Sequence, residues 1–368
     1  MKLRVIGLAL LLALLTMVSA PAAASEPDSL RVVDTRTVAG FPQSLVFTVE
    51  AEGPSPIVDV RLLYTVDKMN YTNVISESWP PFQEGPSVTA SWTWDMRRST
   101  LPPGADITYW WKVRDEAGDV VESVPKSVSF DDSRFDWRST STDDVSLYWY
   151  SGDQAFADEL LEVCTDAIDD LAEDIGTRLE RHISVYIYSS SADLRQAMVY
   201  PQEWTGGVAF TDYSIIAIGI GPGDLDWGRR ALRHEMTHLV VHTATFSPYG
   251  QLPTWLDEGL AMHNEGEPEA AFRSILLDAA ERDLLLSLKT ISGPFSSNPA
   301  LAYLSYAESQ SVLEYMLEVY GGDRIHDLLM LLKSGETLEE ALLASIGVGL
   351  DGLEDGWHRS LEEELARV

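Results

Sequence analysis

The sequence predicts a multidomain chain: an all-β N-terminal sandwich, then an α+β domain whose C-terminal half is helical. Three patterns lead there. From Ser29 to Asp132, apolar and polar residues alternate in short runs between turn clusters, the period of half-buried strands. From Val145 to Ile220, strand-like and helix-like runs take turns. Beyond residue 267, apolar residues recur at three- and four-residue spacing to the end, with breaks at Gly293-Pro294, Gly321-Gly322, Gly335 and Gly347 to Gly352.

In chain order, Lys2 and Arg4 precede an apolar run from Val5 to Val18 and small residues ending Ala22-Ala23-Ala24, which reads as a secretory signal peptide over residues 1–24. The run is short for a transmembrane helix, and no later stretch offers about eighteen uninterrupted apolar residues. A secreted, extracellular chain with no stable membrane insertion is therefore expected. Over residues 26–133, strands are expected at Leu45–Val49, Val60–Val66, Val88–Trp94 and Ile107–Val113, with turns at Gly53-Pro54, Pro102-Pro103-Gly104 and Glu116–Asp119. Such spacing suits two antiparallel sheets packed in the immunoglobulin or fibronectin manner. Trp79, Trp92, Trp94, Trp110 and Trp111 invite a glycan-binding reading, but aromatics at alternate strand positions more often fill a core.

The polar stretch Asp131 to Asp144 reads as a connector to a second domain over residues 140–368. Its expected order is strand (Val145 to Tyr150), helix (Asp153 to Leu179), strand (Ile183 to Tyr188), short helix (Ala192 to Val199) and a hairpin of Gly207 to Thr211 with Ser214 to Ile220. The single cysteine, Cys164, sits on the apolar stripe Phe156, Leu160, Cys164, Ile168, Leu171 and Ile175, so it reads as a buried small hydrophobe and leaves no internal disulfide. With 26 Lys+Arg against 58 Asp+Glu, the net charge is −32. That field repels phosphate backbones and anionic lipid, which disfavours nucleic acid and membrane surfaces as partners.

The chemistry concentrates between Trp227 and Glu267. His234, Glu235 and His238 stand in the order H-E-x-x-H, and residues four apart share a helix face, so both imidazoles can grip one ion with Glu235 beside it. Asp226 is expected to cap this helix, Ala231, Leu232, Met236, Leu239 and Val240 to form its buried flank, and Phe246 to Gly250 to end it. Two histidines and a carboxylate form one of the standard catalytic zinc sets, with a fourth position left open. Glu258, 20 positions after His238, supplies the carboxylate. His242 continues the row, but at about 1.5 Å rise per residue it lies roughly 12 Å from His234 along the axis, too far to share an ion. The longer pattern H-E-x-x-H-x-x-G-x-x-H fails at Val241 and Ala244. His263 reads as a surface or packing residue, and His182, His326 and His358 as surface histidines.

The segment LRHEMTHLVVHTATFSPYGQLPTWLDEGLA resembles the gluzincin zinc metallopeptidases, most closely the bacterial peptidase MA-like group, which pairs an H-E-x-x-H helix with a following W-L-x-E-G-L-A helix. The likeness is specific over about residues 204 to 265 and looser to the end of the chain. It implies a zincin-type metallopeptidase domain binding one Zn²⁺ through His234, His238 and Glu258, with Glu235 as general base. It also implies an edge strand from the hairpin along which an extended peptide lies, and Tyr306 of SYAES as a phenol donating to the oxyanion. Tyr303 is a neighbouring candidate, and a packing role for either tyrosine stands beside that reading. The family's Asp four residues after the ligand Glu is Met262 here, leaving Asp257, Asn264 and Glu265 as candidates for its part.

The expected function is a secreted zinc peptidase acting on peptides or proteins, in which Glu235 moves the proton from water to the leaving amine. Two other readings stand beside it: a non-catalytic binding protein on the same scaffold, and a zinc hydrolase of a non-peptide amide.

Overall fold

A computed structural model of the chain describes residues 28–200, 206–266 and 270–366; the expected signal peptide over 1–24 lies outside them. Among the described residues, no helix is long and apolar enough to cross a membrane.

The N-terminal region is β-sheet. Its strands are β1 (Arg31–Gly40), β2 (Ser44–Val66), β3 (Ser76–Ser78), β4 (Gly85–Asp95), β5 (Ala105–Asp115), β6 (Val120–Glu122) and β7 (Lys126–Phe130). They form one antiparallel sheet in place of the two expected, because β2 runs through both halves. Its residues Ser44–Glu52 pair with β1 and β4, and its residues from Ile57 on pair with β3 and β5. The turn expected at Gly53-Pro54 does not form. Pro54 and Pro56 have no N–H to give, so the ladder lapses between Glu52 and Ile57 while the chain stays extended and changes partners. Each half alternates: Leu45, Phe47, Val49 and Ala51 are buried in the first, and in the second a register shift after buried Ile57 carries the alternation to Val60 and Leu62. Phe47 meets Tyr109 of β5 edge-on at 5.0 Å, and Tyr64 stacks on Trp92 of β4 at 5.6 Å, so the halves share one aromatic-rich core. Trp94 and Trp111 are buried there, whereas Trp79 is 61% exposed.

The second sheet holds β8 (Arg138–Ser141), β9 (Val145–Trp149), β10 (Ile183–Tyr188), β11 (Gly207–Phe210) and β12 (Ile215–Gly219), in the order β11-β12-β10-β9-β8. β9, β10 and β12 are parallel, and both edge strands are antiparallel. β8 lies inside the stretch read as a connector: its polar residues suit an edge strand with one face in solvent. Around the sheet lie α1 (Gln154–Ile175), α2 (Ser191–Gln196), α3 (Leu225–Ala244) and α4 (Thr254–Asn264). The remaining helices are α5 (Ala270–Glu281), α6 (Leu288–Ile291), α7 (Pro299–Tyr320), α8 (Gly322–Ser334), α9 (Leu338–Ser345) and α10 (Leu350–Leu365). Cys164 on α1 is fully buried, and burial pushes its thiol pKa up.

Two local expectations change at this level. Asp226 does not cap α3: Asp224 holds the N-cap position without a side-chain bond, and Asp226 lies in the first turn beside Arg229 at 3.0 Å. His326 and His358 are half-buried, His326 against the Ile175 carbonyl at 3.0 Å and His358 against Trp357.

Glu308 of α7 is wholly buried; Leu286 N–H donates to Oε1 at 2.8 Å and Oε2 has no partner. Burial first, and then the charge of Glu354, push its pKa up to about 8 despite the Leu286 bond. The stability of its neutral form is complete below the ordinary carboxylate range and is lost as pH rises through about 8. Glu308→Gln is therefore expected to raise the melting temperature at pH 9 and change it little at pH 5, checked by thermal melts across that range.

Candidate metal centre and cleft

α3 carries the H-E-x-x-H residues because its opposite face is apolar: Leu232, Met236, Leu239 and Val240 are fully buried, which turns His234, Glu235 and His238 toward the cleft. Gly228 permits the start of the helix to lie on Ile220, where a Cβ would come within 2.4 Å of the Ile220 side chain. After the turn, α4 returns along α3 and brings in Glu258. Its Gly259 meets the backbone of α7 with no room for a Cβ, which would approach the Ser309 carbonyl oxygen to 2.6 Å. That close approach lays α7, with Tyr303 and Tyr306, across the cleft.

Three donor atoms converge. His234 Nε2 lies 3.1 Å from His238 Nε2, and Glu258 Oε2 lies 3.4 Å from the first and 3.7 Å from the second. The edges of a tetrahedron with zinc-type bonds of 2.0–2.2 Å are about 3.3–3.6 Å, so the three atoms already stand at the spacing of three corners. Glu258 Oε2 is buried with no hydrogen-bond partner, a cost that an ion would remove. His234, His238 and Glu258 thus form a group able to hold a metal.

The far side of each imidazole is held by a carboxylate. Glu265 Oε1 lies 2.7 Å from His234 Nδ1, and Asp257 Oδ1 lies 3.0 Å from His238 Nδ1. Of the three candidates to replace the Asp absent at Met262, Glu265 and Asp257 take the part. Asn264 binds Arg233 and Thr237. Arg230 fixes the other oxygen of Glu265 at 3.2 Å. His242 lies 2.9 Å from Asp257 Oδ2, so it is separated from His238 by one carboxylate, in keeping with its exclusion as a ligand beside His234. His238, His242 and Asp257 form a second close group. There the carboxylate already bonds both imidazoles. His263 faces away, 3.7 Å from Asp174.

This crowd of carboxylates favours positive charge between them. Burial pulls the His234 pKa down, but the Glu258 carboxylate 3.4 Å away and the bond to Glu265 outweigh it and hold it at about 10. His238 is likewise raised, with Asp257 overcoming burial, and Asp257 is held well below the ordinary range by His238 and His242 against its own burial.

Glu235 faces the same space, and burial raises its pKa above the ordinary carboxylate value, opposed by His234 and His238. It accepts a hydrogen bond from the Ala209 backbone of β11, and Gly207 passes so close that a Cβ would lie 2.8 Å from Glu235 Oε1. Among the described residues β11 pairs with β12 alone, and its outer edge runs along the cleft without a strand partner. Tyr303 and Tyr306 line one cavity with His234, Glu235, Ala231, Trp227 and Phe272. Tyr306, packed edge-on to Phe295 at 5.1 Å, has its pKa raised by burial and then by Glu258 and Glu235, so it stays a hydrogen-bond donor.

A family model described as Peptidase MA superfamily matches residues 163–363, more than half of the chain. The chain belongs to the Peptidase MA superfamily. The match spans α3, α4 and α7, and agrees with the resemblance carried by residues 204 to 265. No curated protein matches this Peptidase MA member. Three solved structures align weakly with it. A crystal structure of a bromine derivative of BhCBM56 has a TM-score of 0.19 and 10% identity, covering 28% of this chain and 94% of that one. The sporulation control protein Spo0M from Bacillus subtilis has 0.20 and 12%, covering 42% and 59%. An aminopeptidase N family protein from Idiomarina loihiensis has 0.34 and 10%, covering 88% and 69%. TM-scores this low say nothing of fold or activity.

Sequence reading missed the approach of Gly207 to Glu235 and the Arg230–Glu265 tether, since neither has a local signature. Glu265→Ala in this Peptidase MA member is expected to lower metal affinity by about 10–100-fold while His238 keeps its own carboxylate, measured by competition with a chromogenic chelator.

Proposed function

We propose that this protein is a secreted zinc-dependent peptidase of the gluzincin type. The observation that carries the reading is the spacing of His234 Nε2, His238 Nε2 and Glu258 Oε2, with Glu235 beside them and the free edge of β11 running past. His234, His238 and Glu258 hold one Zn²⁺, which when bound polarises the scissile carbonyl and lowers the pKa of a water beside it. Glu265 and Asp257 keep the imidazoles oriented with Nε2 inward.

An extended peptide adds to the free edge of β11 through main-chain hydrogen bonds, which gives affinity with little dependence on side chains. Glu235, with a raised pKa, is suited to take the proton of the attacking water and then deliver it to the leaving amine. Tyr306 donates to the oxygen that gains charge in the tetrahedral stage. The sequence of residues 1–24 supports export, and the excess of acidic residues supports a partner that is a peptide or protein and not nucleic acid.

The test is a peptide library incubated with purified protein, with chelator, and with zinc restored. Cleavage that vanishes with chelator and returns with zinc is the expected result; no cleavage, or cleavage indifferent to both, rejects the reading.

A further inference from the structure

A second cavity, of about 240 Å³, opens at the end of β11 away from the Glu235 cavity. Its walls include Met69 and Tyr71 from the N-terminal sheet's β2–β3 loop, Asp212 after β11, His242 of α3, Tyr249 of the α3–α4 turn and Glu336 after α8. The loop is firmly seated. Met69 N–H donates to the Asp212 carbonyl at 2.7 Å, Tyr71 stacks flat on Phe246 at 4.3 Å, and the Tyr71 hydroxyl donates to the Ser247 carbonyl. The cavity is close to the metal centre, since the His242 ring on its wall is 6.3 Å from the His238 ring.

Its place along the strand fixes what reaches it. Glu235 touches β11 at Gly207 and Ala209, so the bond to be cut lies there. A peptide paired antiparallel to β11 runs with its N-terminal end toward Thr211 and Asp212. Two to three residues at about 3.4 Å each separate Ala209 from those positions, which puts a side chain two or three residues before the cleaved bond at the cavity mouth.

Its chemistry fixes which side chain. Asp212 and Glu336 bring two carboxylates, Tyr71 and Tyr249 bring two exposed phenol rings, and among the described residues no Lys or Arg lines the space. The nearest in the chain are Lys68, which sits 5.9 Å over the Tyr213 ring, and Lys333, which pairs with Glu180 at 3.6 Å; neither is part of the lining. Anionic groups beside aromatic faces favour a cation that carries an apolar stem.

Resting on the peptidase reading above, we infer that this cavity is a subsite for a Lys or Arg side chain two or three residues before the cleaved bond, with one wall supplied by the N-terminal β region. The protein then does not remove single N-terminal residues, because its substrate continues on the N-terminal side of the cut. The β region is part of the substrate cleft and not a detached accessory.

The experiment uses the full chain and internally quenched, N-terminally acetylated peptides that differ only at those two positions, with Lys, Gln or Glu. The expected result is a kcat/KM about fivefold or more higher for Lys than for Gln, and lowest for Glu, as befits one partly exposed charge contact. In Asp212→Asn with Glu336→Gln, the Lys-to-Gln ratio should fall to about one, and Asp212→Lys with Glu336→Lys should invert the order in favour of Glu. Because each ratio is taken within one protein, a loss of folded material does not change it. Equal rates for all three peptides in the wild type, or a preference that survives both variants, overturn the subsite while leaving the peptidase intact. No cleavage of any of these acetylated peptides overturns the subsite, and no cleavage of the unblocked library as well overturns both readings.

Discussion

Glu235→Gln is expected to keep its metal and lose peptide cleavage by on the order of 10³-fold, within the usual contribution of a positioned acid–base group. The amide has the shape of the carboxyl but takes no proton. Among the described residues nothing else in the cleft replaces it: Glu258 Oε2 is turned to the imidazoles, Glu265 and Asp257 are engaged with the Nδ1 atoms, and Tyr306 is held protonated by burial. The residual rate should come from the metal and from positioning alone. Metal content by mass spectrometry together with kcat separates this outcome from simple loss of zinc; an active Glu235→Gln protein would assign the proton transfer elsewhere.

Glu258→Ala has the opposite signature. Removing the third donor leaves two imidazoles, and zinc affinity should fall by about 10³-fold or more, taking activity with it. Stability separates two effects here. In the metal-free state Glu258 helps hold the His234 and His238 imidazoles positively charged, so the alanine variant should melt somewhat lower than wild type even without metal. With excess zinc, wild type gains stability in proportion to the logarithm of zinc over its dissociation constant, and the variant gains little. Melting curves with and without zinc read both. An equal zinc-induced rise in both proteins would place the ion on other ligands.

The centre was legible because its parts obey helical spacing. His234 and His238 are one turn apart, and the apolar residues on the other face of α3 say which way they point. Glu265 was readable only as one of three candidates: it lies seven residues after Glu258, two turns along the same face, where its longer side chain reaches back to His234 from the end of α4. What did not show in the sequence depends on contacts between distant segments. Glu235 touches a strand 26 to 28 positions earlier through a glycine whose only signal is the lack of a side chain. Tyr71 reaches Ser247 across 176 positions. In the N-terminal region, the burial period of β2 was plain on both sides of Gly53-Pro54, but a proline pair reads locally as a turn. Only the partner strands show that the chain continues through it. β8 was hidden for a related reason, since an edge strand with polar residues looks like a linker until it pairs with β9.

The most direct measurement is an anomalous-scattering map at the zinc edge from crystals of the full chain. One peak at about 2.0–2.2 Å from His234 Nε2, His238 Nε2 and Glu258 Oε2 is the predicted result. A peak among His238, His242 and Asp257, or none from protein prepared with zinc, would contradict it.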